Sequence, residues 1–299
     1  MRAGPLSNAK VVGLINRHFV PVYVSNEDYA KNGPAPAEEK AEKQRVYREA
    51  LQAKLSTGTV HVYVLTPDGH PVDSLHVATA SKVEELTAML ERAVAKLKAP
   101  AGGPLVKPAP QSRPAGAAAD ALVLHVTARY LRRQGDELVP LGAEAHRGES
   151  RNAGWHANPG EDWVVLPKAE WGKLLPADKV GPGSTWAPDE KVVARLLTHF
   201  YPPTENNNVA KNRIEEQSLR GTVLSVKDGV ARARLDGRLK MKHPFYHRDD
   251  DNRVEAGLLG FLDFEPRTGA VRDLQLVTDG ATYGARQFPF GVAASAVPK

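Results

Sequence analysis

The stretch SLRGTVLSVKDGVARARLDGRLKMK, residues 218–242, decides the fold of the longer half of this chain. From Val230 onward, small or apolar residues alternate with charged ones, as in a strand with one dry and one solvated face. Asp228-Gly229 separates this run from an equally strand-like run before it, and an Asp-Gly pair in this position is typical of a tight hairpin. The stretch therefore predicts two antiparallel strands of one sheet.

Two more strand-like segments follow this hairpin. RVEAGLLGFLDFEPRTG, residues 253–269, ends in a second turn signal, Thr268-Gly269, and AVRDLQLVTDGATY, residues 270–283, follows it. Four strands with short connections predict an antiparallel meander, either a small barrel or a curved sheet. The meander has a general likeness to curved-sheet binding domains of bacterial envelope proteins, a fold-level analogy that says little about function.

An amphipathic helix and two further strand patterns precede the meander. STWAPDEKVVARLLTHFYPP, residues 184–203, predicts a helix from about Pro188 to Phe200 that turns its valines and leucines inward. Residues 122–131 and 161–167 predict strands, and the second of them runs into a helical turn that begins at a proline. A sheet packed on a helix makes residues 120–299 an α+β domain.

A stretch rich in Pro, Ala and Gly, residues 99–119, separates this domain from an N-terminal part, residues 1–98, with a different pattern. Its composition predicts a semi-extended linker. The N-terminal part has the order helix, strand, helix, strand, strand, helix, which predicts an α/β domain. Its predicted elements are a helix capped by Ser7 or Asn8, the buried strand FVPVYVS (19–25), a helix over about 38–55, two strands about the turn Pro67-Asp68-Gly69, and a helix with a Ser81–Glu84 capping box.

That order resembles a thioredoxin fold without its first strand. NAKVVGLINRHFVPVYVSNEDY, residues 8–29, is similar to the thioredoxin-like domains in which a CxxC stretch precedes a helix ending in N-x-x-F-V-x-V-x-V. The resemblance covers residues 1–98 and implies that the redox cysteines of the family would lie upstream of Met1. It also implies that the cis-proline of the family, which shapes its substrate-binding surface, is replaced here by Val60 or a residue near it.

Two explanations of this resemblance are open. The domain is either a degenerate module kept for structure or partner binding, or part of a thiol-disulfide oxidoreductase whose CxxC segment lies upstream. The chain has no cysteine, which excludes disulfides, thiolate metal sites and cysteine nucleophiles in the sequence as given. The reading frame upstream of Met1 would discriminate the two explanations.

Composition excludes several function classes. The net charge is +5 at pH 7, but basic and acidic residues are interspersed, which argues against nucleic acid as a partner. No apolar run approaches the roughly 20 residues that a membrane span needs, and the sequence does not begin with a signal-peptide pattern. We therefore expect a cytoplasmic protein, or an exported one if a leader lies upstream.

Two loops and one tryptophan segment contain the candidate binding residues other than Val60. On a helix, the spacing of His243 and His247 would suit zinc, but Pro244 favours a solvated hairpin loop. A run of three asparagines could line a polar site, although such runs more often bond to their own backbone. An exposed Trp155 beside His156 would indicate a carbohydrate or peptide surface. The candidate residues are Val60, Trp155, His156, Asn206, Asn207, Asn208, His243 and His247.

These patterns predict a non-catalytic binding or scaffold protein of two domains, with a protein or peptide as a possible partner. They predict no cofactor and no metal site, and the sequence names no catalytic constellation. The oligomeric state is not readable from them. One further alternative, a carrier of an apolar ligand, requires a dry cavity inside the predicted meander.

Overall fold

A computed structural model describes residues 5–24, 26, 28–33, 35–58, 60–102, 114, 117–141, 159–177, 180–204, 206, 208–245 and 250–297. The chain divides into two compact units, Met1–Ala109 and Pro110–Lys299, and each has a hydrophobic core of its own. The division falls inside the predicted linker. Among the described residues, no helix is both long enough and apolar enough to span a membrane.

In the described part of the N-terminal unit there are four helices and one β-hairpin. As predicted, the Asn8 side chain caps the first helix, because its oxygen accepts hydrogen bonds from the backbone N–H groups of Lys10 and Val11. The predicted hairpin is also present, with His61 opposite His76 in an antiparallel pair. The elements are α1 (Ala9–His18), α2 (Ala37–Gln52), β1 (His61–Leu65), β2 (Pro71–His76), α3 (Val77–Ala80) and α4 (Val83–Leu97).

The predicted strand FVPVYVS is absent from the described part of this unit. Phe19 ends α1, and no residue from 19 to 24 pairs with another strand. Val20, Val22 and Tyr23 are 68%, 80% and 77% exposed. An apolar, extended segment becomes a strand only by pairing. In the described chain, β1 and β2 pair only with each other, so residues 19–24 have no strand to pair with.

The predicted capping box at the start of α4 is also wrong. Ser81 ends α3, a short helix that the sequence pattern did not predict, and its hydroxyl donates to the Ala78 carbonyl. Lys82 is the N-cap residue of α4 and makes no side-chain capping bond. The helix itself is present because its apolar positions, among them Leu86 and Leu90, are buried in the core.

The described residues of the C-terminal unit form a single, mostly antiparallel sheet and two helices. The strand order is β4-β3-β11-β10-β9-β8-β7-β6, and β5 also pairs with β3. In the described chain the outer strands do not pair with each other, so the sheet is open. Its elements are β3 (Leu122–Gln134), β4 (Glu137–Pro140), β5 (Gly160–Leu166), α5 (Lys168–Trp171), β6 (Thr185–Trp186), α6 (Glu190–Leu197), β7 (Arg213–Lys227), β8 (Val230–Lys242), β9 (Arg253–Glu265), β10 (Ala270–Tyr283) and β11 (Phe288–Ala296).

Both predicted hairpins are confirmed. Lys227 pairs with Val230, and the two turn residues between them, Asp228 and Gly229, have φ values of 49° and 78°. Positive φ at both central positions is the requirement that makes Asp-Gly favourable there. The second turn, between β9 and β10, contains Gly269 with φ 66°. The four predicted strands are therefore the centre of a larger sheet.

The helix α6 packs on the sheet with the residues predicted to face inward. Val192, Val193, Leu196 and Leu197 are all buried. Burial of each of these side chains contributes roughly 2 kcal/mol of hydrophobic free energy. One gap among the leucines here and in the sheet has a volume of about 10 Å³. The interior of the described sheet is thus close-packed.

Two of the tryptophans help to close this core. Trp171 is 7% exposed, and its indole N–H donates to the Asp120 carbonyl. Trp186 donates to the Leu174 carbonyl and lies against Gly221, where an added Cβ would be 2.3 Å from the indole ring. Glycine at 221 thus allows the indole to lie directly on the strand.

Candidate functional site

A buried histidine connects several elements at one end of the C-terminal sheet. His243 follows β8 and is 1% exposed. Its Nδ1 lies 2.7 Å from Asn212 Oδ1, and its Nε2 lies 2.8 Å from Thr204 Oγ1. Its backbone N–H donates to the carbonyl of Asn252, the residue just before β9. The imidazole is therefore held by the loop before β7 and the backbone by the start of β9.

The hydrogen bonds indicate which nitrogen of His243 carries the proton. The Asn212 amide nitrogen donates to the Thr198 carbonyl, which leaves the amide oxygen to accept from Nδ1. Burial lowers the pKa of His243 to about 4, although the nearby charge of Asp250 acts in the opposite direction. At neutral pH the imidazole is uncharged, with the proton on Nδ1 and with Nε2 against the Thr204 hydroxyl.

Two tyrosine rings enclose this imidazole. Tyr201 stacks on His243 with ring centroids 4.6 Å apart and planes 19° apart. Tyr283 lies at 5.7 Å, and its hydroxyl donates to the His243 carbonyl at 2.8 Å. Burial raises the pKa of Tyr283 and of Tyr130, so both hydroxyls stay protonated. The end of β10 is thereby fixed to the end of β8.

The network continues to an aspartate on β5. The Tyr201 hydroxyl donates to Asp162 Oδ2 at 3.0 Å, and His199 Nδ1 lies 2.7 Å from the same oxygen. Burial raises the pKa of Asp162, but the hydrogen bond and charge of His199 and the Trp163 N–H outweigh it, so the pKa is lowered. Among the described side chains, only Asp162 hydrogen-bonds to the His199 ring, and the Tyr201 hydroxyl bonds to the carboxylate of this pair rather than to the imidazole.

A cleft of about 280 Å³ opens beside this network. Tyr283 pairs with Phe288 across the β10–β11 hairpin, and Phe290 pairs with Tyr130 of β3. In the hairpin turn, Gly284 has φ 72°, and a Cβ there would be 2.9 Å from Asn252 Oδ1. The glycine therefore allows the turn to approach the start of β9. The cleft is lined by Tyr130, Phe245, Asn252, Tyr283, Gly284, Ala285, Arg286 and Phe288.

Two of the candidate residues from the sequence meet in this region. The Thr204 hydroxyl contacts both the Asn206 carbonyl and the His243 ring. Asn206 is fully buried, and its amide donates to the Pro244 carbonyl at 3.0 Å. The interpretation of His243 as part of a solvated loop is wrong, because the side chain lies beneath Tyr201 and Tyr283. Both ring nitrogens are hydrogen-bonded, so a metal ion could bind His243 only by displacing a partner.

The remaining candidates lie elsewhere. Asn208 accepts a hydrogen bond from the Ala210 N–H and donates its own N–H to Asn206 Oδ1, so both asparagines bond to local backbone. Val60 belongs to the N-terminal unit, where its side chain is 49% exposed. Trp155, His156, Asn207 and His247 lie outside the described residues. Within that part of the chain, no three His, Asp or Glu residues are grouped as metal ligands would be.

Sequence reasoning missed Asp162, Tyr201, Asn212 and Tyr283. One signal was available for Asp162, which is two positions before the buried Val164 on the same strand and so shares its face. An acidic residue in phase with buried positions needs a hydrogen-bonding partner. Asn212 gave no local signal, since only the folded chain brings it to His243.

Comparison with known proteins found no match for this chain among family models, curated proteins or solved structures.

Proposed function

We propose that this chain is a non-catalytic binding protein and that its C-terminal unit binds a small ligand in the cleft beside Tyr283. The observation that carries the proposal is the cleft itself, about 280 Å³ in volume and lined by four aromatic rings. Small-molecule sites are concave, of about 300–1,000 Å³, and mostly apolar, with a few polar groups that orient the ligand. In this cleft Asn252 and Arg286 are such groups.

The groups behind the cleft favour binding over catalysis. A general base must reach the substrate and have a pKa near the working pH. His243 is buried, with both ring nitrogens hydrogen-bonded, and its pKa of about 4 is far from neutrality. The Tyr283 hydroxyl is bonded to a backbone carbonyl. These residues hold the cleft wall in place, and they are poorly suited to proton transfer.

The cleft also suits a ligand better than the inside of the sheet does. A cavity needs about 10–15 Å³ to hold even one water molecule. The gap among the core leucines is about 10 Å³, which is too small for an apolar ligand. The proposal therefore places the ligand at the end of the sheet.

Binding of N-phenyl-1-naphthylamine, a neutral aromatic probe, tests this function. All four tryptophans lie in residues 155–186, so energy transfer from them reports binding to the C-terminal unit. We expect Phe288→Ser to weaken binding by about tenfold, because it removes one aromatic wall of the cleft. Leu224→Ser, at a residue that is 48% exposed on β7, is the matched control and should leave binding unchanged. Equal binding by wild type and Phe288→Ser would refute the proposal.

We further propose that the N-terminal unit is a thioredoxin-like module without redox activity that binds a partner. The order helix, hairpin, helix and the absence of cysteine support this, and the exposed apolar segment after α1 suits partner binding. An insulin-reduction assay tests the competing oxidoreductase function. We expect no turnover by this chain, whereas turnover by a form extended upstream would support the oxidoreductase.

A further inference from the structure

We propose that the ligand of the cleft is a small anion with an aromatic or apolar body and a carboxylate, sulfonate or phosphate at one end. This inference rests on the proposed function, because it concerns the same cleft, and it adds the charge of the ligand. It follows from two arginines: Arg286, which lines the cleft, and Arg132, which is two residues along β3 from the cleft residue Tyr130.

The first of these, Arg286, lies in the turn between β10 and β11 and lines the cleft. Its side chain is exposed and, within the described part of the chain, forms no ion pair and no hydrogen bond. Arg253, at the start of the neighbouring β9, differs because both ends of its guanidinium bond to Glu215, at 2.8 and 3.0 Å. The charge of Arg253 is neutralised locally, whereas that of Arg286 is available to a ligand.

The sheet register places Arg132 on the same rim. The pairing of β3 with β11 ends at Tyr130 and Phe290, and Arg132 lies two residues beyond Tyr130 on β3. Side chains two apart on a strand share a face, and Arg132 is therefore on the face of Tyr130, which lines the cleft. Arg132 is exposed and, among the residues that the structure describes, has no ion-pair partner.

Three described carboxylates near the cleft already have partners. Asp250 accepts from the backbone N–H groups of Phe245 and Asn252, and Asp251 lies 3.3 Å from the Lys242 ammonium. Glu215 is bonded to Arg253. Arg286, which lines the cleft, therefore keeps a positive charge beside it. A guanidinium binds carboxylate, sulfonate or phosphate oxygens through paired hydrogen bonds, while the aromatic rings contact an apolar body.

Two matched probes test the inference. 1-Anilinonaphthalene-8-sulfonate is an anion, and N-phenyl-1-naphthylamine is the same arylamine without the sulfonate. We expect wild-type protein to bind the anion about tenfold more tightly at low salt, an advantage that shrinks as salt screens the charges. The double variant Arg132→Gln/Arg286→Gln should weaken binding of the anion by about tenfold and change binding of the neutral probe less than about twofold.

Arg238→Gln is the control variant. Arg238 is an exposed arginine on β8 without an ion pair in the described chain, and it lies on the face opposite the buried Leu239. Its substitution should change neither affinity. If both probes bind equally and the double variant binds the anion as wild type does, the inference is overturned, while Phe288-dependent binding would still support the cleft. If neither probe depends on Phe288, the proposed function and the inference both fail.

Discussion

His243 links the stability of the C-terminal unit to pH. Burial lowers its pKa from the ordinary 6.5 to about 4 in the folded protein. Between these values the unfolded chain binds a proton that the folded chain does not, so acid favours unfolding. The contribution of His243 to the free energy of unfolding is therefore fully present above about pH 6.5 and is lost as the pH is lowered towards 4. The free energy of unfolding that is lost across this range is about 3 kcal/mol.

We expect His243→Gln to remove most of this pH dependence. Glutamine keeps an amide that can bond to Asn212 and Thr204 but does not titrate. The measurement is urea unfolding followed by tryptophan fluorescence at pH 7.5 and pH 5, which reports on the C-terminal unit alone. Wild type should lose about 2 kcal/mol between the two conditions, and the variant clearly less.

His125→Gln provides the control for that experiment. The His125 side chain is 35% exposed and stacks on Trp163 in the same unit. We expect the pH dependence of this variant to match that of wild type. A wild type whose stability is the same at both pH values would contradict the buried, neutral state of His243.

At the residue scale, sequence reasoning found His243 and Asn206 but not their environment. Local composition drew attention to both, since each lies in a polar run that interrupts the apolar patterns. The burial of His243 depends on Tyr201 and Tyr283, which come from other elements and cover the ring only in the folded chain. Residue type therefore identified the candidates, and tertiary contacts determined their role.

At the element scale, residues 19–24 form an apolar segment that the described structure leaves unpaired. We expect Val22→Lys to change the stability of the N-terminal unit by less than about 0.5 kcal/mol, because Val22 is 80% exposed. Val11→Ala, at a fully buried position of α1, should cost about 2 kcal/mol. Urea unfolding followed by far-UV circular dichroism measures both. Equal costs for the two substitutions would mean that the segment is a buried strand after all.

Local signals predicted most helices and two of the hairpins of the C-terminal sheet. Turn chemistry acts within four residues, and Asp228-Gly229 satisfies it wherever the strands lie. Strand pairing is non-local, so FVPVYVS could not reveal its lack of a partner. The last strand, β11, was missed because FPFGVAASA is rich in small residues with low strand propensity. It is held in place by β10 on one side and β3 on the other.

At the scale of the whole molecule, the two units differ greatly in the size of their cores. Among the described residues, the N-terminal core cluster contains eight buried apolar residues and the C-terminal one contains thirty-three. The hydrophobic free energy of a small core exceeds the conformational entropy cost of folding by only a little. The N-terminal unit should therefore be the less stable of the two.

We accordingly expect two unfolding transitions in urea. The two longest helices, α2 and α4, lie in the N-terminal unit, and all four tryptophans lie in the C-terminal unit. Ellipticity at 222 nm should therefore begin to fall at a lower urea concentration than tryptophan fluorescence changes. Val11→Ala should shift only the first transition to lower urea, and Leu196→Ala, in α6, only the second. Each substitution should lower the free energy of unfolding of its own unit by about 2 to 3 kcal/mol. Coincident transitions for both probes would instead mean that the two cores unfold as one cooperative unit.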